Sequence, residues 1–243
     1  MVVECIGLPG SGKTYLFRAV EEELKKNGIS CVNGGELSMH SLWWKAGKKV
    51  LHRVIFLSRD ARRLRDRLKE ILEREKPLQS RYGINMDERF TLESAAIFAA
   101  VYKRMEKSDK VYLFDEGLVH TIVKFCAEFH LPDEVFLAMV EECGPLQERA
   151  RIVVYNEISI EECLRSIQKR DRHVCSFDEL PQDRLKELLA QYERLNACYA
   201  ANEPVVTVMR TEPGEEKTAR ILTKIRKGRA ALLQRARRVE KKI

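Results

Sequence analysis

Short apolar runs alternate along this chain with longer stretches whose apolar positions recur every three or four residues, the mixture expected of strands and amphipathic helices in turn. "MVVECIG" reads as a first strand. The following "KTYLFRAVEEELKKNG" places Leu16, Phe17, Val20 and Leu24 on one helical face before Asn27 and Gly28 stop it. "ISCVN" predicts a second strand, and Lys48 to Glu75 one or two charged helices broken before Pro77, with partners such as Arg62 and Asp66 one turn apart. "TLESAAIFAAVYKRMEKS" predicts a helix feeding "KVYLFDEG", where the unbroken apolar run Val111 to Phe114 fits a strand buried on both faces. Helices from about Leu118 to His130 and from Pro132 to Cys143 follow. "ARIVVYNE" is a strand and "SIEECLRSIQKRD" a helix with Ser159 at its cap. The pattern closes with a helix over "PQDRLKELLAQYERLNACYAANE", a strand over "PVVTVMRT" and a helix over "GEEKTARILTKIRK".

Five strands alternating with helices predict an α/β fold, a doubly wound, mostly parallel five-stranded sheet that binds its ligand at the carboxyl ends of the strands. A length of 243 residues, 44% apolar, supports one sizeable core. The expected division is one domain over 1–227 and a basic amphipathic tail over 228–243.

Charge sharpens that division. Residues 224 to 243 carry nine Lys or Arg against one Glu, or +8, so with a net charge of +7 the preceding residues sum to −1. Such a tail fits an anionic membrane surface, nucleic acid, a partner subunit in a homodimer, or a solvated end. A weaker basic accumulation, twelve Lys or Arg against five acids, runs from Lys45 to Lys76. It suits an anionic acceptor or a solvated helix pair. Seven scattered cysteines without a C-x-x-C pair suggest neither a disulfide framework nor a zinc site. Without a signal-like or membrane-length apolar segment, the expected location is cytoplasmic.

The first strand runs into "GLPGSGKT", in which Gly7, Gly12, Lys13 and Thr14 satisfy G-x-x-x-x-G-K-[ST]. Strand, glycine-rich loop and helix are the context in which that pattern grips nucleotide phosphates. Backbone N–H groups of Gly10, Ser11, Gly12, Lys13, Thr14 and Tyr15 would form the cradle, helped by the positive end of the helix. Lys13 would reach the β and γ phosphates and Thr14 would ligate Mg²⁺. In "VYLFDEG", Asp115 ends a buried strand beside the loop and is the candidate carboxylate of the magnesium shell. Glu116 would orient a water, accept a proton or cap the next helix. Arg165, Lys169 and Arg172 lie opposite the apolar face of Ile160, Cys163, Leu164 and Ile167. They read as a lid that neutralises charge during transfer, or as a solvated face.

The order "GLPGSGKT", "VYLFDEG", "VVYNEISIEECLRSIQKRDR" and "PVVTVMRTE" resembles the thymidylate kinase and deoxynucleoside kinase group over roughly residues 2 to 227. The resemblance implies a phosphotransferase with ATP and Mg²⁺, a helical lid over about 165–180 carrying Arg165, Lys169, Arg170 and Arg172, and adenine held near Thr211 to Gly214, Pro213 included. The chain departs from the group at the acceptor side. Asp115 is followed by Glu116 where those families usually carry Arg, and Glu36 after the second strand lacks the usual neighbouring Pro. Trp43 and Trp44 read as packing anchors or as a stacking surface for an acceptor ring.

The expectation is therefore a kinase that passes the γ-phosphate of ATP to a small-molecule acceptor, a nucleoside, nucleotide or sugar-type hydroxyl or phosphate. Its base would be Glu36 or Glu116, with Glu36 the one the resemblance favours. Two other readings stand beside it: a nucleotide-dependent binding module whose tail engages nucleic acid or anionic membrane, and a kinase of polynucleotide ends or glycans.

Overall fold

A computed structural model describes residues 1–34, 59–76, 78–83, 88–105, 108–144, 151–169 and 179–240; the side chains of Phe90 and of residues 235–240 are not considered. Five strands, β1 (Val2–Ile6), β2 (Cys31–Asn33), β3 (Val111–Phe114), β4 (Arg151–Glu157) and β5 (Val205–Met209), form one sheet in the order β2-β3-β1-β4-β5. Every pairing is parallel, with Val2 opposite both Tyr112 of β3 and Arg151 of β4. The doubly wound sheet is as expected, and wholly rather than mostly parallel. All five residues of β1 are buried, as its central position between two neighbours requires.

Eight helices are described: α1 (Lys13–Lys26), α2 (Arg59–Glu73), α3 (Glu88–Met105), α4 (Leu118–Glu128), α5 (Asp133–Cys143), α6 (Ile160–Gln168), α7 (Gln182–Asn202) and α8 (Gly214–Glu240). The period-2 alternation of β1 divides the core. Val3 and Cys5 pack with Leu16, Phe17, Val20 and Leu24 of α1 and with Ile221, Leu222 and Ile225 of α8. Val2 and Ile6 face the larger cluster built from α2 to α7. On α2, Asp66 pairs with Arg65 at 2.7 Å rather than with Arg62, which corrects the expected one-turn partnership. No helix among the described residues is long and apolar enough to cross a membrane.

The boundary expected at 227/228 falls inside α8. The helix is continuous there, Gly228 lies so close to Met1 that a Cβ would sit 2.5 Å from its Cε, and Leu232 packs against the second cluster. Composition changes near residue 224, but the apolar stripe runs on for another two turns.

One charged pair lies within the large core. Glu4, on the Val2 and Ile6 face of β1, is 0% exposed, and its Oε1 lies 2.5 Å from Nε of Arg151 on β4, an ion pair outside hydrogen-bond alignment. Its Oε2 accepts the Val119 N–H at 3.1 Å and the Tyr102 hydroxyl at 3.5 Å, and Arg151 Nη2 donates to Tyr199 at 3.3 Å. Burial and the neighbouring Glu4 charge push the Tyr102 phenol well above its ordinary value. Gly117 has no room for a Cβ, which would run into Glu4 Oε2 and the Tyr102 hydroxyl. Glu4 thereby ties the turn after β3 to the centre of the sheet.

Candidate active site

The loop from Gly7 to Thr14 leaves the carboxyl end of β1 and turns into α1. Three glycines take positive φ, Gly7 at 139°, Gly10 at 90° and Gly12 at 89°, a region that L side chains rarely enter. At Gly7 a Cβ would also lie 2.5 Å from the Asn156 carbonyl oxygen. The Ser11 N–H donates to Leu8 O at 3.1 Å, and Leu16 N to Gly12 O at 3.0 Å opens the helix.

Residues remote in sequence hold this loop from outside. Asn156, at the end of β4, donates from Nδ2 to Ser11 O at 2.9 Å. Cys163 on α6 donates its thiol to Pro9 O at 2.6 Å. Arg210, just past β5, donates from Nη1 to Gly10 O at 3.2 Å and to Ser166 Oγ at 2.9 Å. None of the three appears among the expected site residues. Only the fold, which sets the end of β4 beside that of β1 and β5 next to β4, brings them there; a polar Asn at a strand end was the available signal.

Lys13 is 6% exposed, and its ammonium folds back to donate to Gly7 O at 3.2 Å and Leu8 O at 3.0 Å. The Ser11 Oγ is buried without a hydrogen-bond partner among the described residues. A glycine cradle, an ammonium resting on backbone carbonyls and an orphaned hydroxyl are a fit for nucleotide phosphate, whose oxygens would take over these donors. Thr14 Oγ1 donates to Asp115 Oδ2 at 2.7 Å, so the two expected magnesium-side residues meet across β1 and β3. No group of three or more His, Cys, Asp or Glu that could hold a metal occurs among the described residues. A hydroxyl and one carboxylate suit Mg²⁺, which keeps waters and takes its remaining ligands from phosphates.

The other expected residues are placed unevenly. Glu116 follows Asp115, its side chain 67% exposed, with Oε1 3.6 Å from Nε2 of His120. Arg165 on α6 and Lys169 at its C-terminal cap are exposed, while Cys163, Leu164 and Ile167 are buried, and Ser159 caps the helix start by accepting the Glu162 N–H at 3.3 Å. Tyr15 is 79% exposed. Thr211 and Pro213 are exposed in the turn between β5 and α8, a turn braced by Glu212, which accepts Met209 N at 3.1 Å and pairs with Arg220 at 2.9 Å. Glu36, Trp43, Trp44, Arg170 and Arg172 lie outside the described residues.

His120 is the functional candidate that sequence reasoning passed over. It is 4% exposed on the first turn of α4, and burial, reinforced by the nearby Lys13 charge, pushes its pKa down to about 3. The ring is neutral at any physiological pH.

No known protein-family profile matches the chain, and no curated protein sequence matches it. Solved structures do. Deoxyadenosine kinase from M. mycoides with bound dATP aligns over 93% of this chain and 100% of its own, at 14% identity and a TM-score of 0.50. Shikimate kinase from Aquifex aeolicus aligns over 93% of this chain and 96% of its own, at 15% identity and a TM-score of 0.40. The first of these shows a shared fold, an α/β fold over nearly the whole chain.

Proposed function

We propose that the chain is a Mg-ATP-dependent phosphotransferase that passes the γ-phosphoryl group to a small-molecule acceptor by in-line displacement. The observation that carries this reading is the 2.7 Å contact between Thr14 and Asp115 at the mouth of a correctly formed glycine-rich loop. It joins the hydroxyl and the carboxylate that a nucleotide-bound Mg²⁺ needs. Thr14 and Asp115 would hold the magnesium, which would supply positive charge against the charge that develops on the phosphates.

The chain's own residues divide the remaining work. The amides of Gly10 to Thr14 cradle the phosphates, and Lys13 exchanges its carbonyl partners for phosphate oxygens. Asn156, Cys163 and Arg210 keep the loop from relaxing as it does so, and such fixed donors favour the transition state over the ground state. Arg165 and Lys169, with Arg170 and Arg172 further along, supply the lid cations. The shared fold with a deoxyadenosine kinase supports a nucleoside or sugar-type acceptor.

ADP production from Mg-ATP, measured against nucleosides, nucleotides, sugars and oligonucleotides, tests the proposal. Acceptor-dependent ADP release is expected for at least one small molecule. Nucleotide binding without any transfer would overturn it.

A further inference from the structure

Pro9, Gly10 and Ser11 present three successive backbone carbonyls, and a different part of the chain takes each of them. Cys163 Sγ donates to the first at 2.6 Å, Arg210 Nη1 to the second at 3.2 Å and Asn156 Nδ2 to the third at 2.9 Å. A trans peptide points its N–H away from its carbonyl, so the bonds to Pro9 and Ser11 fix the N–H groups of Gly10 and Gly12 on the other side of the loop. Asn156 holds the loop from the sheet alone. The other two bonds lead to α6. Cys163 is a residue of that helix and is 0% exposed. Arg210 directs the second hydrogen of the same Nη1 to Ser166 Oγ at 2.9 Å. The Ser166 hydroxyl donates its own hydrogen to Glu162 O at 2.8 Å, which leaves its lone pairs to the guanidinium. Arg210 is itself anchored through its backbone: its N–H donates to Glu157 O at 3.0 Å, and its carbonyl accepts from Lys217 of α8 at 3.3 Å.

We propose that Cys163 and Arg210 are positioning residues that couple the phosphate loop to α6, so that a nucleotide filling the loop also fixes the helix from which Arg165 and Lys169 project; this rests on the phosphotransfer reading above. The peptides themselves transmit the effect. A phosphate oxygen that accepts the Gly10 N–H polarises the peptide it shares with Pro9 and makes the Pro9 carbonyl a better acceptor for Cys163. The coupling is reciprocal. A displacement of α6 that breaks both bonds weakens nucleotide binding by some factor, and bound nucleotide suppresses that displacement by the same factor. Two hydrogen bonds, each worth about 2–12-fold, set it at about 4–140-fold. The donor nucleotide thereby orders the cation side of the site without help from an acceptor.

Amide hydrogen exchange of the full chain, with and without saturating Mg-ATP, tests the coupling; the ratio of the two rates within each variant cancels any change in overall stability. In the wild type, Mg-ATP is expected to slow the amides of Cys163 to Gln168 by about 4–140-fold. With Cys163→Ala and Arg210→Ala combined, the ratio should approach unity at a nucleotide concentration that still fills the loop. Ser166→Ala cuts the arginine from α6 but leaves its bond to Gly10, so it should lower the α6 ratio by about 2–12-fold with ATP affinity nearly unchanged. Ser166→Thr, which keeps the hydroxyl, should restore the ratio. Arg165→Ala with Lys169→Ala should also keep it, because the coupling runs through the loop and not through cations touching ATP. The proposal is overturned if the variant lacking both braces keeps the wild-type ratio, if the ratio is lost only with Arg165 and Lys169, or if bound Mg-ATP leaves α6 exchange unchanged in the wild type. Arg210 is exposed and Ser166 half-buried, so their single variants keep the test decisive even if the Cys163 change fails to fold. Bound Mg-ATP that slows α6 without transfer to any acceptor sinks the phosphotransfer reading and leaves the coupling standing; no binding of Mg-ATP at all overturns both.

Discussion

The phosphate loop and the flank beside it, both at the carboxyl edge of the sheet, are built on opposite plans. The loop is held by Asn156, Cys163 and Arg210, from the neighbourhoods of β4, α6 and β5, and its own lysine is folded onto its carbonyls. The flank at Glu116 and His120 is more open: Oε1 and Nε2 are 3.6 Å apart and the Glu116 side chain is 67% exposed. On the proposed function, the difference follows from what each would bind. Triphosphate is the same for every enzyme that uses it, and rigid donors recognise it well. An acceptor is particular to each enzyme, and the side chains that meet it need room.

The contrast is broken most completely at Lys13. Lys13→Ala should lower phosphoryl transfer by at least about 10²–10³-fold while the circular dichroism spectrum stays native, because its ammonium donates to loop carbonyls rather than to another element of the core. Normal turnover would remove the loop from the mechanism. Glu4→Gln should come next. It leaves Arg151 buried without its charge partner, and denaturant unfolding should register a loss of about 3–5 kcal/mol. Asp115→Asn keeps the shape of the Thr14 contact but not its charge. The magnesium concentration needed for half-maximal activity should rise by about 10–100-fold, and an unchanged magnesium titration would refute the pairing.

Smaller effects sharpen the same comparison. Arg210→Ala removes one brace of the loop, and ATP should bind about 2–12-fold more weakly, the worth of a single hydrogen bond. Deleting residues 235–243 should leave both unfolding and turnover within about 0.5 kcal/mol of wild type. Deletion from Gly228 onwards should cost more, because Leu232 goes with it.

Legibility in the sequence tracks how local the interactions are. The loop motif, the apolar face of α1 and the unbroken run of β3 are contiguous or helically spaced, and each stands where its pattern placed it. Asn156 is 145 residues from Ser11 and Arg210 is 200 from Gly10, so no window of sequence contains both members of either pair. His120 reads as one polar position in an apolar helix, and only the turn that carries Glu116 back towards it gives it meaning. Glu4 is a lone charge in an otherwise apolar strand. Its partner Arg151 begins another strand, and parallel register alone brings the two together. The basic tail was read from charge, whereas its first two turns are held by Gly228 and Leu232, whose small and apolar side chains carry no charge signal.

The contact between Glu4 and Val119 also gives the molecule an internal clock. The Val119 amide, in the first turn of α4, donates not to a helical carbonyl but to a carboxylate sealed in the core, at 3.1 Å. Its hydrogen can exchange with solvent only when the turn after β3 lifts off the sheet, the movement that would also carry Asp115 and Glu116 out of line. The exchange rate of that one amide, followed with and without Mg-ATP, would time the opening of the catalytic edge separately from the breathing of the sheet beneath it.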